Sequence, residues 1–399
     1  MNSVLTANQF KKVALGDCCE IISGSTPSRN KAEFWDGEIN WFTPKDLSRI
    51  KSKYISEAPE KITALGLKSC STTLLPKNSL LLSSRAPIGH IAITTIEACT
   101  NQGFKSLMPN KNLDVEYLYF AIKNIIPQLK DLGNGATFKE ISKSTLSKVQ
   151  IPIPPLAEQK QIATILDAAD SLRLKDQQLV EHYTALSQSL FLEMFGDPIS
   201  NPRGWDVSCL GNIGKWHSGG TPNRKNTDYF AGDIPWVTSG ELNNMYISDS
   251  KEHISEDAIK NSAAKIINKD SLLLGMYDTA ALKSSITTEV ISCNQAIAFS
   301  TLDSSKANTV FVYSMIQYGK EHFRRLQRGV RQKNLNLTMI KEIEIIHPPI
   351  ELQNQFAERI KIIEQQKQQA KTNLQKSEAL FNSLLQQAFT GELTADRAA

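Results

Sequence analysis

The sequence of 399 residues repeats itself once, in order, at an offset near 194 residues. The clearest matched segments are 24–31 with 219–226, 79–84 with 271–276, and 151–162 with 345–356. An offset of this size is far longer than a solenoid repeat, which has a period of about 20–50 residues. The chain is therefore predicted to contain two copies of one large unit.

Each copy begins with about 150 residues of mixed character. Leucine-rich and β-branched runs at 79–84 and 90–96 predict a β-hairpin, and matching runs follow at 271–277 and 284–292 in the second copy. Both copies then show apolar residues at helical spacing. These residues are Val115, Leu118, Tyr119, Ile122 and Ile126 in the first copy, and Val312, Tyr313 and Ile316 in the second. The two regions are predicted to be α+β.

Each copy ends with a Pro-Pro pair followed by a long proline-free segment, which is typical of a helix with proline in its first turn. Apolar residues recur there with a period of 3.5 residues, which predicts a coiled-coil seam. The predicted seam positions are Ile162, Ile165, Leu172, Leu179 and Leu186 in the first helix, and Phe356, Ile360, Ile363, Leu374, Phe381 and Leu384 in the second.

At 1.5 Å per residue, each helix of about 40 residues would be roughly 60 Å long. We expect the two helices to bury their stripes against each other, since both belong to one chain. The alternative is that each helix packs on its own globular region. The residues alone allow a parallel or an antiparallel pair.

Several classes of protein are excluded. No apolar run approaches the roughly 20 residues of a membrane-spanning helix, and the N-terminus lacks the apolar core of a signal peptide, so a cytoplasmic protein is expected. The six cysteines form no CxxC pair, which argues against zinc and against a disulfide framework. Motifs for dinucleotides, nucleotide phosphates, serine hydrolysis, zinc proteolysis and amino-methyl transfer are missing from the sequence. We expect a binding protein without a catalytic centre.

The net charge of +4 is too weak by itself to indicate a nucleic acid, but positive charge lies in two blocks separated by neutral or acidic ones. Residues 1–150 contain 19 basic and 13 acidic side chains, and 201–347 contain 17 and 15, whereas 151–200 are acidic with 3 and 7. The segment 323–334 mixes arginines with amides, a combination suited to DNA phosphates and base edges. Basic residues at the carboxyl end of a helix also interact favourably with the helix dipole, so a structural role is the alternative to DNA binding for this segment.

Other candidates lie in loops that match in position between the copies but differ in residues. The predicted DNA-binding residues are Arg29, Thr43, Lys45, Arg85, Lys139, Lys143, Arg224, Thr238, Ser239, Lys283, Arg324, Arg328, Arg331, Gln332 and Lys333. Simple exposure explains Arg29 and Arg224 equally well. Trp41 and Trp236 are expected in the core rather than stacked on bases.

These paired motifs resemble the specificity subunit of type I restriction-modification systems. The resemblance rests on the Gly-X-Thr-Pro, Ile-X-Trp and Asn-Gln motifs of each copy, on the helix-start segments at 151–170 and 347–360, and on the linker 195–205. It covers essentially the whole chain. The second copy departs at Glu351-Leu352-Gln353, where the first has Ala157-Glu158-Gln159, which puts transfer of single residues in doubt.

The resemblance implies two pseudo-twofold-related mixed α/β target-recognition domains, 1–150 and 201–347, separated by long antiparallel helices within 151–200 and 348–399. It implies a non-catalytic reader of double-stranded DNA with a split target, joined to two methyltransferase subunits and to restriction subunits. S-adenosylmethionine, ATP and magnesium belong to those partners, and no cofactor is expected on this chain.

Partner subunits are expected on the outer faces of the paired helices. Candidate contacts are Glu158, Gln159, Gln161, Gln353 and Gln355, although helix capping explains them nearly as well. Two other functions stay open: a specificity subunit that serves methylation only, and a coiled-coil scaffold without a DNA role.

Overall fold

The computed structural model describes residues 10–50, 52–85, 87–134, 139–327 and 334–394. They form two compact units, one made of Met1–Asp176 with Thr372–Ala399 and the other of Gln177–Lys371. We call them unit 1 and unit 2. Each unit combines one globular region with parts of both long helices. Four candidate DNA-binding residues, Arg328, Arg331, Gln332 and Lys333, lie outside the described residues.

The globular region of unit 1 contains ten strands and five short or medium helices within its described residues. The strands are β1 (Lys12–Ala14), β2 (Cys19–Ser23), β3 (Trp35–Phe42), β4 (Tyr54–Ile55), β5 (Glu60–Ile62), β6 (Leu80–Leu82), β7 (Ile91–Thr94), β8 (Ala98–Thr100), β9 (Lys105–Pro109) and β10 (Gln150–Pro152). The helices are α1 (Leu15–Cys18), α2 (Pro44–Leu47), α3 (Ala64–Lys68), α4 (Val115–Asp131) and α5 (Lys143–Ser147), with a 3-10 turn at Ala32–Phe34. The long helix α6 (Leu156–Phe195) follows.

The described residues of the second globular region have the same succession of ten strands, with more 3-10 helices between them. Its strands are β11 (Val207–Cys209), β12 (His217–Ser218), β13 (Ile234–Val237), β14 (Tyr246–Ile247), β15 (His253–Ile254), β16 (Leu272–Gly275), β17 (Ser284–Thr287), β18 (Ser292–Cys293), β19 (Ile297–Ser300) and β20 (Glu344–Ile346). Its helices are α7 (Leu210–Ile213), α8 (Glu256–Lys260), α9 (Thr309–Tyr318), α10 (Lys320–Phe323) and α11 (Leu337–Lys341). Its 3-10 helices are Thr227–Phe230, Ser239–Glu241, Asp278–Ala280 and Arg324–Leu326, and the long helix α12 (Ile350–Thr390) follows.

The strand order confirms the α+β prediction and shows that the duplication extends to topology. The first region has a five-stranded sheet β2-β9-β6-β7-β4, a three-stranded sheet β5-β3-β8 and a ribbon β1-β10. The second has β12-β19-β16-β17-β14, β15-β13-β18 and β11-β20, which is the same order at every position. The predicted hairpins are the antiparallel pairs β6-β7 and β16-β17.

Strand β6 shows why a continuous leucine run forms a strand here. Leu80 and Leu82 pack in the core that includes α4, whereas Leu81 points to the other face and packs with Phe104. Alternate residues of a strand face opposite sides, so a strand covered on both faces is apolar throughout. In β16, Leu272 and Leu274 likewise pack in the core that includes α9, whereas Leu273 packs in a separate cluster on the other face.

The long helices run antiparallel within each unit. In unit 1, Thr394 beyond the end of α12 donates a hydrogen bond to Glu158 in the first turn of α6. In unit 2, Phe191 near the end of α6 lies with its ring 5.5 Å from that of Phe356 near the start of α12. The start of one helix therefore lies beside the end of the other.

The packed face of α12 includes the predicted seam. Phe356, Ile360 and Phe381 are buried, and Ile363, Leu374 and Leu384 are partly buried. In α6, Ile162 is buried and Ile165 partly buried, but the other three predicted seam residues are not packed. Leu172, Leu179 and Leu186 are 39–49% exposed.

Besides Ile162, the packed face of α6 includes Leu166, Arg173 and Ser187, each one residue after a predicted seam position. Apolar periodicity misplaces this face because the face contains charges that other residues of unit 1 neutralise. Asp170 is buried and accepts hydrogen bonds from Lys123 of α4 at 3.0 Å and from Arg173 at 2.7 Å. Burial acts to raise the pKa of Asp170, but the charges of Lys123 and Arg173 outweigh it and the pKa is lowered.

One buried glutamine in each long helix attaches the start of that helix to its globular region. Gln159 is fully buried, donates to Asn112 O at 3.0 Å and accepts from Asp114 N at 2.8 Å. Gln353 repeats the second bond, accepting from Asn308 N at 3.0 Å. Because these amides are buried and engaged within the chain, Gln159 and Gln353 are unsuited to partner contacts, and this prediction is wrong for them.

Candidate nucleic-acid interface

Loops that are distant in sequence meet at one end of the first globular region. The Asn101 amide donates to Phe42 O at the end of β3, at 3.0 Å, and the Ser84 amide donates to Gly103 O at 2.7 Å. The Ile141 amide in turn donates to Ser84 O at 3.0 Å. We call this set of loops, residues 24–29, 43–45, 83–85, 101–103 and 139–141, the first loop cluster.

The second globular region contains the same arrangement. The Asn294 amide donates to Val237 O at 3.0 Å, the Met276 amide to Ala296 O at 2.9 Å, and the Leu335 amide to Met276 O at 2.7 Å. The second loop cluster comprises residues 219–224, 238–243, 276–283, 294–296 and 334–335. Both copies therefore hold their loops with equivalent backbone hydrogen bonds.

The side chains on this shared scaffold differ between the copies. Arg85 pairs with Glu140 across an isolated β-bridge, with 3.8 Å between guanidinium and carboxylate, and Lys105 lies 3.3 Å from the same carboxylate. The equivalent bridge in the second cluster joins Tyr277 to Asn334. One cluster thus presents charged groups where the other presents a phenol and an amide.

Among the other predicted residues, Lys45, Lys139 and Lys283 lie in the clusters, whereas Lys143 and Arg324 lie outside them. Lys45, Lys139 and Lys143 are exposed, the last in the first turn of α5. Lys283 is partly exposed and donates to Asn243 at 2.9 Å. Arg324 lies in the 3-10 turn after α10, 3.5 Å from Glu321.

Thr43 and Thr238 are both helix caps. The Thr43 hydroxyl and amide bond the Asp46 carboxylate at 2.8 and 2.7 Å, and Thr238 bonds Glu241 in the same way at 2.8 Å. Such capping boxes satisfy amides at the start of a helix. Ser239 follows Thr238 as the first residue of a 3-10 helix and is partly exposed.

Arg29 and Arg224 are held in the same way in both copies. Arg29 makes a two-pronged ion pair with Glu60 and stacks 3.9 Å from the centre of the Trp35 ring. Arg224 pairs with Glu252 at 2.6 and 2.8 Å and stacks 4.7 Å from Phe230. The hydrogen bond from Arg29 lowers the pKa of Glu60, so this ion pair is maintained at neutral pH.

The tryptophans are core residues, as predicted, but they also support the clusters. Trp41 is 1% and Trp236 is 2% exposed. The Trp41 indole donates to Ser25 O at 3.0 Å and the Trp236 indole to Gly220 O at 3.0 Å. Each indole therefore anchors the loop that carries the Gly-X-Thr-Pro motif.

Sequence reasoning missed two exposed glutamines in the clusters, Gln102 and Gln295. Both accept a hydrogen bond from a threonine of the Gly-X-Thr-Pro loop, Thr26 and Thr221 respectively. The signal was present, because the Asn-Gln pair occurs in both copies, but it indicated only the repeat. Tyr277 was also missed, since an isolated tyrosine has no local pattern that distinguishes it.

The part of the chain that the structure describes contains no cluster of three or more metal-ligating side chains. Nor does any of its helices have the length and apolar character needed to cross a membrane.

Comparison with known proteins identifies the family. Residues 8–181 and 202–378 each match the model described as the type I restriction modification DNA specificity domain. The chain is 32% identical over 376 residues to the type I restriction enzyme MjaIX specificity subunit of Methanocaldococcus jannaschii, a match covering 88% of this chain and 87% of that protein. This protein belongs to the specificity subunits of type I restriction-modification systems. Specificity subunits are non-catalytic, in agreement with the sequence analysis.

Solved structures show the same fold. The crystal structure of the S subunit of a type I restriction-modification system from M. genitalium gives a TM-score of 0.65 at 15% identity, covering 97% of this chain and 98% of that one. A chain from a study of complex assembly and conformational transition of the type I R-M system gives 0.53 at 16% identity, with 98% and 100% covered.

Proposed function

We propose that this chain recognises a bipartite target in double-stranded DNA, with one half-site read by residues 1–150 and the other by residues 201–347. The observation that carries the proposal is the pair of loop clusters, which have equivalent backbone hydrogen bonds and different side chains. A duplicated scaffold with divergent loop contents is suited to reading two different sequences.

The contents of the clusters supply the chemistry of base contacts. Arginine, as at Arg85, pairs with the O6 and N7 atoms of guanine, and amides pair with adenine. The second cluster offers Tyr277 and Lys283 at corresponding loops. Lys45, Lys139 and Lys143 add positive charge, which contributes affinity through the phosphates without reading sequence.

A split site follows if both domains read the major groove from one face of B-DNA. Their half-sites then lie about one turn apart, roughly 10 bp from centre to centre. If each domain reads about 3–5 bp, an unread spacer of about 6 bp remains. Each correct base pair contributes about 1–3 kcal/mol, so one half alone discriminates poorly against a genome. We propose that the long helices, in residues 151–200 and 348–399, determine the spacing.

The proposed partners are two methyltransferase subunits and, for cleavage, restriction subunits, in a cytoplasmic complex. S-adenosylmethionine, ATP and magnesium would be bound by those partners. Leu179 and Leu186 in unit 2 support a contact surface on α6, because the two leucines are spaced by seven residues and remain 39% and 49% exposed. An apolar row on a helix surface is typical of protein interfaces.

Methylation-sensitive sequencing of DNA modified by the chain with its cognate methyltransferase tests the proposal. We expect modified adenines within one split sequence. Exchanging residues 1–150 for those of another family member should change one half of that sequence, and exchanging residues 201–347 should change the other half. An uninterrupted target, or a change in both halves after either exchange, would contradict the proposal. Absence of sequence-dependent DNA retention would favour a scaffold, and methylation without cleavage would favour a methylation-only complex.

A further inference from the structure

The two loop clusters share one side-chain arrangement although their neighbouring loops differ. Thr26 donates its hydroxyl hydrogen to the amide oxygen of Gln102, and Thr221 does the same to Gln295. Both glutamines are exposed. The paired residues are 76 positions apart in the first copy and 74 in the second, so the tertiary fold brings them together.

Each Thr–Gln pair is held by its surroundings. A Cβ atom at Gly24 would lie 2.1 Å from Asn101 O, and one at Gly219 would lie 2.3 Å from Cys293 O. Only glycine allows the two loops to approach this closely. The Asn101 side chain also accepts from the Gly103 amide at 2.8 Å, which closes a tight turn around Gln102. In the second copy, Asn294 accepts from the Ala296 amide at 3.1 Å.

The hydrogen bond fixes the orientation of the glutamine amide. Because the oxygen accepts from threonine, the NH₂ group is left to donate to another acceptor. Among the described residues, the NH₂ groups of Gln102 and Gln295 donate to no protein atom. A long side chain normally loses conformational freedom on binding, and an orientation fixed beforehand reduces that cost.

Residues that are the same in both copies are suited to a ligand feature that is the same in both half-sites. Bases differ between two different half-sites, whereas the sugar-phosphate backbone is common to both. We propose that Gln102 and Gln295 each donate an amide hydrogen bond to a DNA phosphate, and that Thr26 and Thr221 position them. This inference rests on the proposed bipartite recognition. The glutamines set the position of the backbone, and the divergent loops beside them read the bases.

The test measures binding of the full-length chain, purified with its methyltransferase partner, to a duplex containing the modified sequence and to a duplex with that sequence scrambled. A hydrogen bond to a charged group contributes about 1.5–3 kcal/mol, which corresponds to roughly ten- to hundredfold in affinity. We expect Gln102→Ala and Gln295→Ala each to weaken binding to both duplexes by this factor. The dependence on salt should stay unchanged, because no cation is removed.

Further variants separate contact from folding. Gln102→Glu keeps the acceptor for Thr26 but places a negative charge near the phosphate, so it should weaken binding more than alanine does. Thr26→Ala should weaken binding less than Gln102→Ala, and Thr26→Ser should restore it. Gln150→Ala, an exposed amide in the β1-β10 ribbon, is the matched control and should leave the affinity unchanged.

The outcomes are distinguishable. If Gln102→Ala weakens binding to the modified sequence but leaves binding to the scrambled duplex unchanged, the glutamine reads a base and the inference is overturned. Unchanged affinity in both glutamine variants, with normal thermal unfolding, also overturns it and leaves bipartite recognition intact. If the wild-type chain shows no preference for either duplex, the proposed function itself fails.

Discussion

Replacing Asp170 by asparagine should destabilise unit 1 because it removes one charge from a buried network. The carboxylate of Asp170 is only 10% exposed and lies 3.0 Å from Lys123 and 2.7 Å from Arg173. The rings of Phe120 and Phe381 surround Lys123, at 5.9 and 4.7 Å. Asparagine has nearly the same shape, so the change leaves the two cations without the carboxylate that they share.

The magnitude follows from the distances. At an effective dielectric constant of about 20, a unit charge pair 3.0 Å apart attracts by roughly 5 kcal/mol, and burial of the ions offsets part of this. Removing one partner of a buried pair costs about 3–5 kcal/mol. We expect about 3 kcal/mol in the free energy of unfolding, because Lys123 and Arg173 keep 23% and 26% exposure.

Urea unfolding followed by tryptophan fluorescence measures the effect, since Trp35 and Trp41 lie in unit 1. Asp131→Asn, at the exposed end of α4, is the control and should change stability by less than about 0.5 kcal/mol. The double replacement Lys123→Met with Asp170→Leu should recover part of the loss, because an apolar pair of similar volume is tolerated. A loss below about 1 kcal/mol in Asp170→Asn would refute the network's role.

The same residue predicts a pH dependence. The pKa of Asp170 is lowered in the folded chain, so its contribution is fully present above the unfolded pKa of about 3.9 and is lost as pH falls through the lower folded pKa. The difference in stability between wild type and Asp170→Asn should therefore shrink as the solution is acidified below about pH 4. A difference that grows on acidification would contradict the assignment.

Two further replacements test the helices. Phe191→Ala should lower the free energy of unfolding by about 3–5 kcal/mol, because the side chain is fully buried among aromatic rings. Thermal unfolding measures the loss, with Leu192→Ala, at an exposed neighbouring residue, as the control. Equal effects of the two replacements would argue against the packing described. Leu179→Glu should leave stability within about 0.5 kcal/mol but weaken co-purification with the methyltransferase subunit, whereas Gln178→Glu should not. If Leu179→Glu still co-purifies with the methyltransferase subunit, that subunit contacts a different surface of the chain.

Local patterns in the sequence predicted the elements of this fold well. The hairpins β6-β7 and β16-β17 and the helices α4 and α9 follow from runs of residues whose periodicity reflects one local geometry. The burial of Trp41 and Trp236 was also expected. The duplication was also evident from the sequence, because its detection requires only comparison of the chain with itself. Its extension to an identical strand order followed from the structure.

The candidate interface was predictable only in part. The sequence located the variable loops at Arg85 and Lys139, but not the Thr26–Gln102 contact. A hydrogen bond between residues 76 positions apart leaves no periodic signal. Thr43 was predicted only as a DNA contact, whereas the structure shows its hydroxyl engaged with Asp46 in a helix cap.

The sequence by itself determined that the chain is a duplicated α+β protein with two long helices and identified its family through paired motifs. The tertiary structure decided which face of α6 is buried, because Lys123 of α4 neutralises a charge that apolar periodicity assigns to solvent. It also decided that Gln159 fastens the helix to its domain rather than facing a partner. Both outcomes depend on partners about 45 residues away, and the free energy of a buried polar group is set by those partners rather than by its neighbours in sequence.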